Sequence, residues 1–250
     1  MKPLAAFLVV WIACAAAVYA AAAPAQPGQA DQVVIRNKGL EAKLDPATGR
    51  ISLSAVAPGR TFAREVKLRR EGGRPAVVRA RDGVFGDGQA IEVTHADGER
   101  ESVLLCDKVP FVLFRSTLRN GTGAPLTLNK VPTLSAILDA GAPADELRAL
   151  GTGGLKALDK NGGSYVWLAI ADPKTRASVV AGWLTHDRGS GVVFPSVEDG
   201  TPRLQARLEY GRLNLAPGES AESETSPSAT STTPASASKP GPTRSQRCTP

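Results

Sequence analysis

The sequence predicts an all-β protein, a two-sheet antiparallel sandwich or supersandwich, from three observations. Short β-branched and apolar runs recur from Asp31 to Thr225 with a period of two. Gly, Pro, Asn and Asp break them at tight intervals. Helical periodicity is almost absent, and many short strands without helices argue for two packed sheets.

The elements follow in order. Residues 33–36, 40–44 and 51–55 read as three strands, with Asp45-Pro46-Ala47-Thr48-Gly49 as the hairpin loop between the last two. Pro46 presets φ there, and Gly49 can take a left-handed conformation. Residues 77–81, 91–95, 102–105, 111–118 and 126–130 are further strands, and Asn120-Gly121 reads as the turn closing a hairpin between the last pair. A single short helix is expected over 143–150, ended by Gly151-Thr152-Gly153-Gly154. Strands resume at 165–171, 178–185, 191–197, 204–210 and 221–225, with Asp172-Pro173-Lys174-Thr175 as another Pro-primed turn.

Both ends of the 250-residue chain differ from this middle. Lys2, an apolar run over 4–18 and the alanines at 20–23 have the order of a secretory signal peptide, assigned to residues 1–23, with 24–30 as a short linker. The run is shorter than the ~20 apolar residues of a membrane anchor, so no membrane span is expected and the protein is read as secreted or periplasmic. Cys14 could mark a lipoprotein, but Trp11-Ile12-Ala13 are not the small residues lipidation follows, and Cys14 reads as an apolar residue of the leader. Residues 31–225 form the sandwich. Residues 226–250 are Ser, Thr, Ala and Pro with a few basic residues, too polar to offset chain entropy, and are expected to be disordered. That tail is either a linker or stalk, or the place where a native frame or domain has been lost.

Four of the six net positive charges come from Lys2, Lys239, Arg244 and Arg247 at the ends, which leaves +2 for the middle. Basic residues there alternate with acids, as in Lys67-Leu68-Arg69-Arg70-Glu71 and Asp97-Gly98-Glu99-Arg100-Glu101. These runs read as solvated faces, and no nucleic-acid partner is expected. Beyond the leader only Cys106 and Cys248 remain, so disulfides do not hold the fold together. Cys106 reads as a buried thiol, and pairing with Cys248 would have to recruit the tail.

The chain has no Gly-x-Ser-x-Gly elbow, phosphate-cradling glycine loop, Cys-x-x-Cys pair or His-Glu-x-x-His helix. With two histidines, His95 and His186, a multi-histidine metal centre is excluded, and no cofactor or catalytic residue is expected. His186-Asp187-Arg188 is the densest polar cluster at a strand end, after Trp183-Leu184-Thr185. It is either a sugar-facing or domain-facing edge, or a strand end whose side chains satisfy each other and nearby backbone. Trp183 beside it is the candidate for stacking on a sugar, whereas Trp167, in a strand apolar on both faces, is expected in the core. Asp139, Asp172, Asp187, Glu198 and Asp199 lie in or beside turns, where carboxylates usually serve backbone or solvent. Asn120-Gly121-Thr122 matches the N-glycosylation pattern, although a hairpin explains Asn-Gly without a sugar.

Residues 165–173 (Tyr-Val-Trp-Leu-Ala-Ile-Ala-Asp-Pro) and 180–188 (Val-Ala-Gly-Trp-Leu-Thr-His-Asp-Arg) resemble the N-terminal β-supersandwich domain of α-galactosidase-like, melibiase-type glycoside hydrolases. The phrases at 44–50 and 215–220 fit the same picture. The resemblance implies a supersandwich that precedes a (β/α)8 barrel carrying both catalytic aspartates. It therefore implies that this chain is a non-catalytic part, inactive alone, whose partners are a missing barrel and an α-galactoside-type glycan. Trp183, His186, Asp187 and Arg188 would face carbohydrate or a domain interface. Two other readings stay open: a free-standing carbohydrate-binding or envelope module, and a glycoside hydrolase that gathers two carboxylates in the sandwich cleft.

Overall fold

Ile51 and Leu53 are buried while Arg50, Ser52 and Ser54 between them are not, and this alternation, repeated along most strands, decides which face each one turns inward. A computed structural model describes residues 32–232. The expected leader, the linker, Cys14, Cys248 and residues 233–250 lie outside the described residues.

The chain opens with β1 (Val33–Arg36), β2 (Leu40–Asp45), β3 (Arg50–Ala55) and β4 (Arg60–Leu68). It continues through β5 (Arg74–Asp82), β6 (Gly86–Thr94), β7 (Arg100–Cys106), β8 (Val112–Arg119) and β9 (Leu126–Leu138). After these come β10 (Arg148–Gly151), β11 (Gly154–Ala157), β12 (Ser164–Tyr165), β13 (Trp167–Ala171) and β14 (Ser178–Gly182). β15 (Ser190–Glu198), β16 (Thr201–Leu215), β17 (Ser220–Glu222) and β18 (Ser226–Thr232) complete the series. One sheet has eight strands in the order β1-β2-β3-β4-β9-β16-β15-β12. The other has ten, in the order β11-β10-β13-β14-β18-β8-β7-β6-β5, with β17 also pairing β8. Every strand pairing is antiparallel, as the expected sandwich requires.

The inner faces meet in one apolar layer. Leu44, Ile51, Leu53, Leu204 and Leu208 enter it from the eight-stranded sheet, and Ile91, Val103, Leu105, Leu168 and Ile170 from the other. Full burial of each such side chain is worth about 1.5–3 kcal/mol. A smaller cluster of Ala90, Leu104, Cys106 and Leu113 forms on the opposite face of β6–β8, under a T-shaped pair of Phe85 and Phe111 with centroids 5.0 Å apart. Cys106 is the buried free thiol the sequence suggests, and burial pushes its pKa up. The β2–β3 turn also forms as read: Gly49 has φ +67°, and its N–H donates to the Asp45 carbonyl at 2.8 Å.

Several expectations are corrected. Residues 143–150 do not form a helix; they make a turn, closed by the Glu146 N–H on the Pro143 carbonyl, and then enter β10. Leu147 and Ala149 are both fully buried at a spacing of two, and pairing of β10 with β13 overrides the local helical preference. The helix among the described residues is a 3-10 turn at Leu158–Lys160. The strand expected at 126–130 runs on as β9 to Leu138, passing Pro132 at a register shift opposite Arg207. The sequence gives little sign of β4, because its β-branched content is low and charged residues interrupt it.

Asn120-Gly121 does not close a hairpin, because β8 and β9 belong to different sheets. Asn120 is 0% exposed and holds the corner between them. Its side-chain amide donates to the carbonyls of Ala124 (2.8 Å) and Leu215 (2.9 Å), and its side-chain oxygen accepts from the Thr122 N–H and hydroxyl. Its backbone exchanges further bonds with Gly218 and Glu219. A glycan on that nitrogen is incompatible with this packing.

The expected onset of disorder at Ser226 is also corrected. Ser226–Thr232 form β18, an interior strand of the ten-stranded sheet that pairs β14 on one side and β8 on the other. An interior strand is held by main-chain hydrogen bonds on both edges, which Ser and Thr supply as well as Val or Ile. Apolar content therefore gives no sign of it.

Two outcomes follow from these placements. Asn120→Ala leaves two carbonyls unsatisfied and should lower stability by about 2 kcal/mol in urea denaturation. Ending the chain at Thr225 removes β18 from the middle of its sheet, and calorimetry should show a loss of about 5 kcal/mol or more together with a broadened transition.

Candidate functional site

The strand expected at 165–171 is broken at Val166, which has φ +68°, an outlier for a β-branched residue. The break lets the chain change sheets. Tyr165 pairs with Val192 in the eight-stranded sheet, and Trp167, two residues on, pairs with Gly182 in the ten-stranded one. Val166 ties the two together: its N–H donates to the Gly191 carbonyl at 2.9 Å, and its carbonyl accepts the Trp183 N–H at 2.8 Å.

This switch reverses the expected roles of the two tryptophans. Trp183 is 5% exposed and belongs to the core cluster. Its ring lies on Gly191, where an added Cβ would stand only 1.9 Å from the indole Cδ1. Trp167 is 40% exposed, while its neighbours Leu168 and Ile170 are fully buried. The strand that looked apolar on both faces has Trp167 and Ala169 on the outer one. Tyr165 (54% exposed), Val166 and Leu184, the residue after Trp183, are exposed as well. Loop residue Leu184 is held there by its N–H on the Thr225 carbonyl, 2.9 Å.

His186, Asp187 and Arg188 are exposed on the adjoining loop. The loop is wound round one carboxylate that the sequence did not single out. Glu224, 3% exposed, accepts from the Thr185 hydroxyl at 2.5 Å and from the Arg188 N–H at 2.9 Å, and Asp187 contributes a further N–H. The Arg188 guanidinium donates to the Glu222 carbonyl. Burial pushes the Glu224 pKa up, but these donors and the Arg188 charge outweigh it and hold the carboxyl below its ordinary 4.5. The backbone N–H groups of Asp187 and Arg188 and the Arg188 guanidinium are thus spent on structure, while the His186 and Asp187 side chains face outward.

The turn carboxylates also serve the frame. Asp139 pairs with Arg60 at 2.7 Å and accepts the Gly141 N–H. Asp172 accepts from Lys174 N–H and the Thr175 hydroxyl, and Glu198 pairs with Arg203 at 2.9 Å. Asp199 turns the β15–β16 hairpin with φ +49°.

The two charge runs that read as solvated faces pair with each other instead. Glu99 is 4% exposed and takes both Arg69 and Arg70, and Arg70 also reaches Asp97 at 2.5 Å. Glu101, 1% exposed, accepts the backbone N–H of Arg69 (2.8 Å) and of Arg70 (3.1 Å) and lies 2.9 Å from His95 Nε2. A strand places alternate residues on one face, so Glu99 and Glu101 share the side on which Arg69 and Arg70, in the bend after β4, lie. That spacing is the available signal, and the missing information is which segment lies across them. Among the described residues, no three His, Cys, Asp or Glu side chains cluster as a metal ion needs, and no helix is long and apolar enough to cross a membrane.

No protein-family model matches the chain, and no curated protein matches its sequence. Solved structures align with it. A galactose mutarotase-like protein from Lactobacillus casei aligns at a TM-score of 0.50 and 9% identity, over 79% of this chain and 99% of that one. A TPR-domain containing protein from Parabacteroides distasonis aligns at 0.52 and 12% identity, over 87% of this chain and half (50%) of that one. An α-galactosidase from Lactobacillus brevis aligns at 0.46 and 14% identity, over 70% of this chain and 28% of that one. At these identities the two alignments at 0.50 and 0.52 are a likeness of fold alone.

The depressed pKa of Glu224 predicts an acid-sensitive loop. A carboxyl with a lowered folded-state pKa contributes stability above its unfolded value, and that contribution is lost as pH falls through the folded value. Glu224→Gln should therefore destabilise the protein at neutral pH and flatten the fall in stability below about pH 4.5, the ordinary glutamate value. Denaturation of both forms across this range tests it.

Proposed function

We propose that this chain is an exported, non-catalytic sandwich that binds carbohydrate of the α-galactoside type on the surface formed by Tyr165, Val166, Trp167 and Leu184, with the His186–Asp187–Arg188 loop at its edge. The observation that carries this reading is the strained sheet switch at Val166, which sets two aromatic side chains, 54% and 40% exposed, on either side of one residue. Large amphipathic rings held by main-chain bonds offer a rigid stacking face at low entropic cost. The fold of a galactose mutarotase-like protein, matched over 99% of that protein's length, supports a sandwich that handles sugar without a second domain.

The apolar surface continues to Leu150 and Leu155, which face each other across β10 and β11 and are 42% and 67% exposed. That extension favours a second reading, in which the same face packs against another domain such as the (β/α)8 barrel implied by the resemblance.

Affinity electrophoresis through a gel containing an α-galactoside polysaccharide separates the two. The wild type should be retarded, and Trp167→Ala should weaken retardation about tenfold or more with little change in melting temperature. A wild type that migrates freely, or a variant retarded equally, overturns the sugar reading. Apolar-dye binding that Leu155→Glu abolishes then supports the docking one.

A further inference from the structure

The ten-stranded sheet ends at β5, and this edge is open. β5 is nine residues long, longer than β1, β11 or β12, the strands that end the sheets elsewhere. It pairs with β6 alone, and no backbone group from Arg74 to Arg81 bonds to any other described residue. A row of main-chain N–H and C=O groups therefore points away from the sheet, a template on which a further strand can pair. Pro75, which has no N–H, is tolerated at such an edge.

The edge borders a groove of about 880 Å³, lined by Val77, Arg79 and Arg81 of β5, Asp87 and Gln89 of β6, and Asp107 after β7. The two sides of β5 differ. Val77 pairs with Ile91 of the main core, so Val77, Arg79 and Arg81, alternate residues, share the inward-turned side. They are nevertheless uncovered: Val77 is 49% exposed and both arginines are exposed. Val78 and Ala80 turn the other way, half-buried against the small cluster of Ala90, Leu104, Cys106 and Leu113.

Charge divides the sides further. Arg79 has no carboxylate within ion-pair distance among the described residues, and Arg81 has only Asp87, 3.5 Å away, in a pair whose side chains are 78% and 71% exposed. So exposed a pair contributes little. Neighbouring strands lie ~4.8 Å apart, so a strand added to β5 stands directly beside Arg79 and Arg81, with Asp87 one strand further off and Asp107 behind it. Opposite charges facing each other across two strands stabilise the pairing, and like charges oppose it. A second copy of β5 brings its own Arg74, Arg79 and Arg81 to an edge that already carries three arginines, which disfavours self-pairing.

We infer that β5 accepts an extended strand of another protein in which acidic residues alternate with apolar ones, the acids beside Arg79 and Arg81 and the apolar residues continuing the layer of Val78 and Ala80. Main-chain hydrogen bonds supply the affinity, and the alternation selects the partner.

A fluorescein-labelled peptide of alternating glutamate and valine, about eight residues long as strands commonly are, tests this on the intact protein by fluorescence anisotropy, with hydrogen exchange of residues 74–82 read on the same mixture. The peptide should bind, more weakly as salt rises, and should slow exchange at the β5 amides left unpaired by β6. A lysine–valine peptide of the same length should bind about tenfold or more weakly, and so should a glutamate–valine peptide with proline at its centre, which cannot complete the ladder. Arg79→Gln combined with Arg81→Gln should weaken binding about tenfold and leave the melting temperature unchanged, since both side chains are exposed. Absence of binding, equal binding of the lysine peptide, indifference to the double substitution, or binding without slowed exchange in β5 overturns the inference. Protection of every β5 amide before peptide is added places the chain's own residues on this edge, and a dimer that the peptide disperses places a second copy there; either also overturns it. β5 lies at the opposite end of its sheet from β10, β11 and β13, so retardation by an α-galactoside and binding of this peptide can fail separately.

Discussion

A chain that leaves one sheet for the other abandons its ladder hydrogen bonds and must replace them at once, and the architecture turns on how this is done. Buried backbone donors and acceptors left unpaired cost about 1–3 kcal/mol each. At the corner between β8 and β9 Asn120 supplies the replacements from its side chain, spanning to Ala124 and Leu215. At the one between β12 and β13, Val166 does so with its own backbone, bonded to Gly191 and Trp183, and accepts a left-handed φ to reach both. The exposed Tyr165 and Trp167 are a product of the solution at Val166. Either side of the switch, the strand alternation restarts in a new sheet.

Charge is handled by a similar economy. Several carboxylates are enclosed by the frame: Glu99 and Glu101 by Arg69 and Arg70 just after β4, Asp82 by Arg115 and the N–H groups of Val84 and Phe85, and Glu224 by the loop after Trp183. Burial alone would raise the pKa of Asp82, Glu99 and Glu224, and in each the donors prevail and lower it.

The two tryptophans show where reading the sequence stops. Trp167 sits among Val166, Leu168 and Ile170, and a strand with such neighbours looks buried on both faces; Trp183 precedes a polar cluster and looks like an edge. Both inferences assume an unbroken strand. The left-handed turn at Val166 and the glycines at 182 and 191, which admit Trp167 and Trp183 respectively, invert the outcome. No local propensity announces a left-handed valine, since it persists only where its surroundings enforce it. Likewise the alternation Glu99-x-Glu101 shows that both acids share a face, but only the lay of Arg69 and Arg70 across it shows that the face is closed.

By itself the sequence determined the all-β class, the β2–β3 turn and the burial of Cys106. Each of these follows from a period of two or from the conformational limits of Pro and Gly, which act within a few residues. Tertiary structure alone decided which strands are neighbours, that Ser226–Thr232 fill the gap between β8 and β14, and which aromatic faces solvent. Those outcomes depend on main-chain pairing between segments far apart in the chain, and main-chain hydrogen-bonding groups are the same in every residue but proline, so side-chain pattern carries little trace of them.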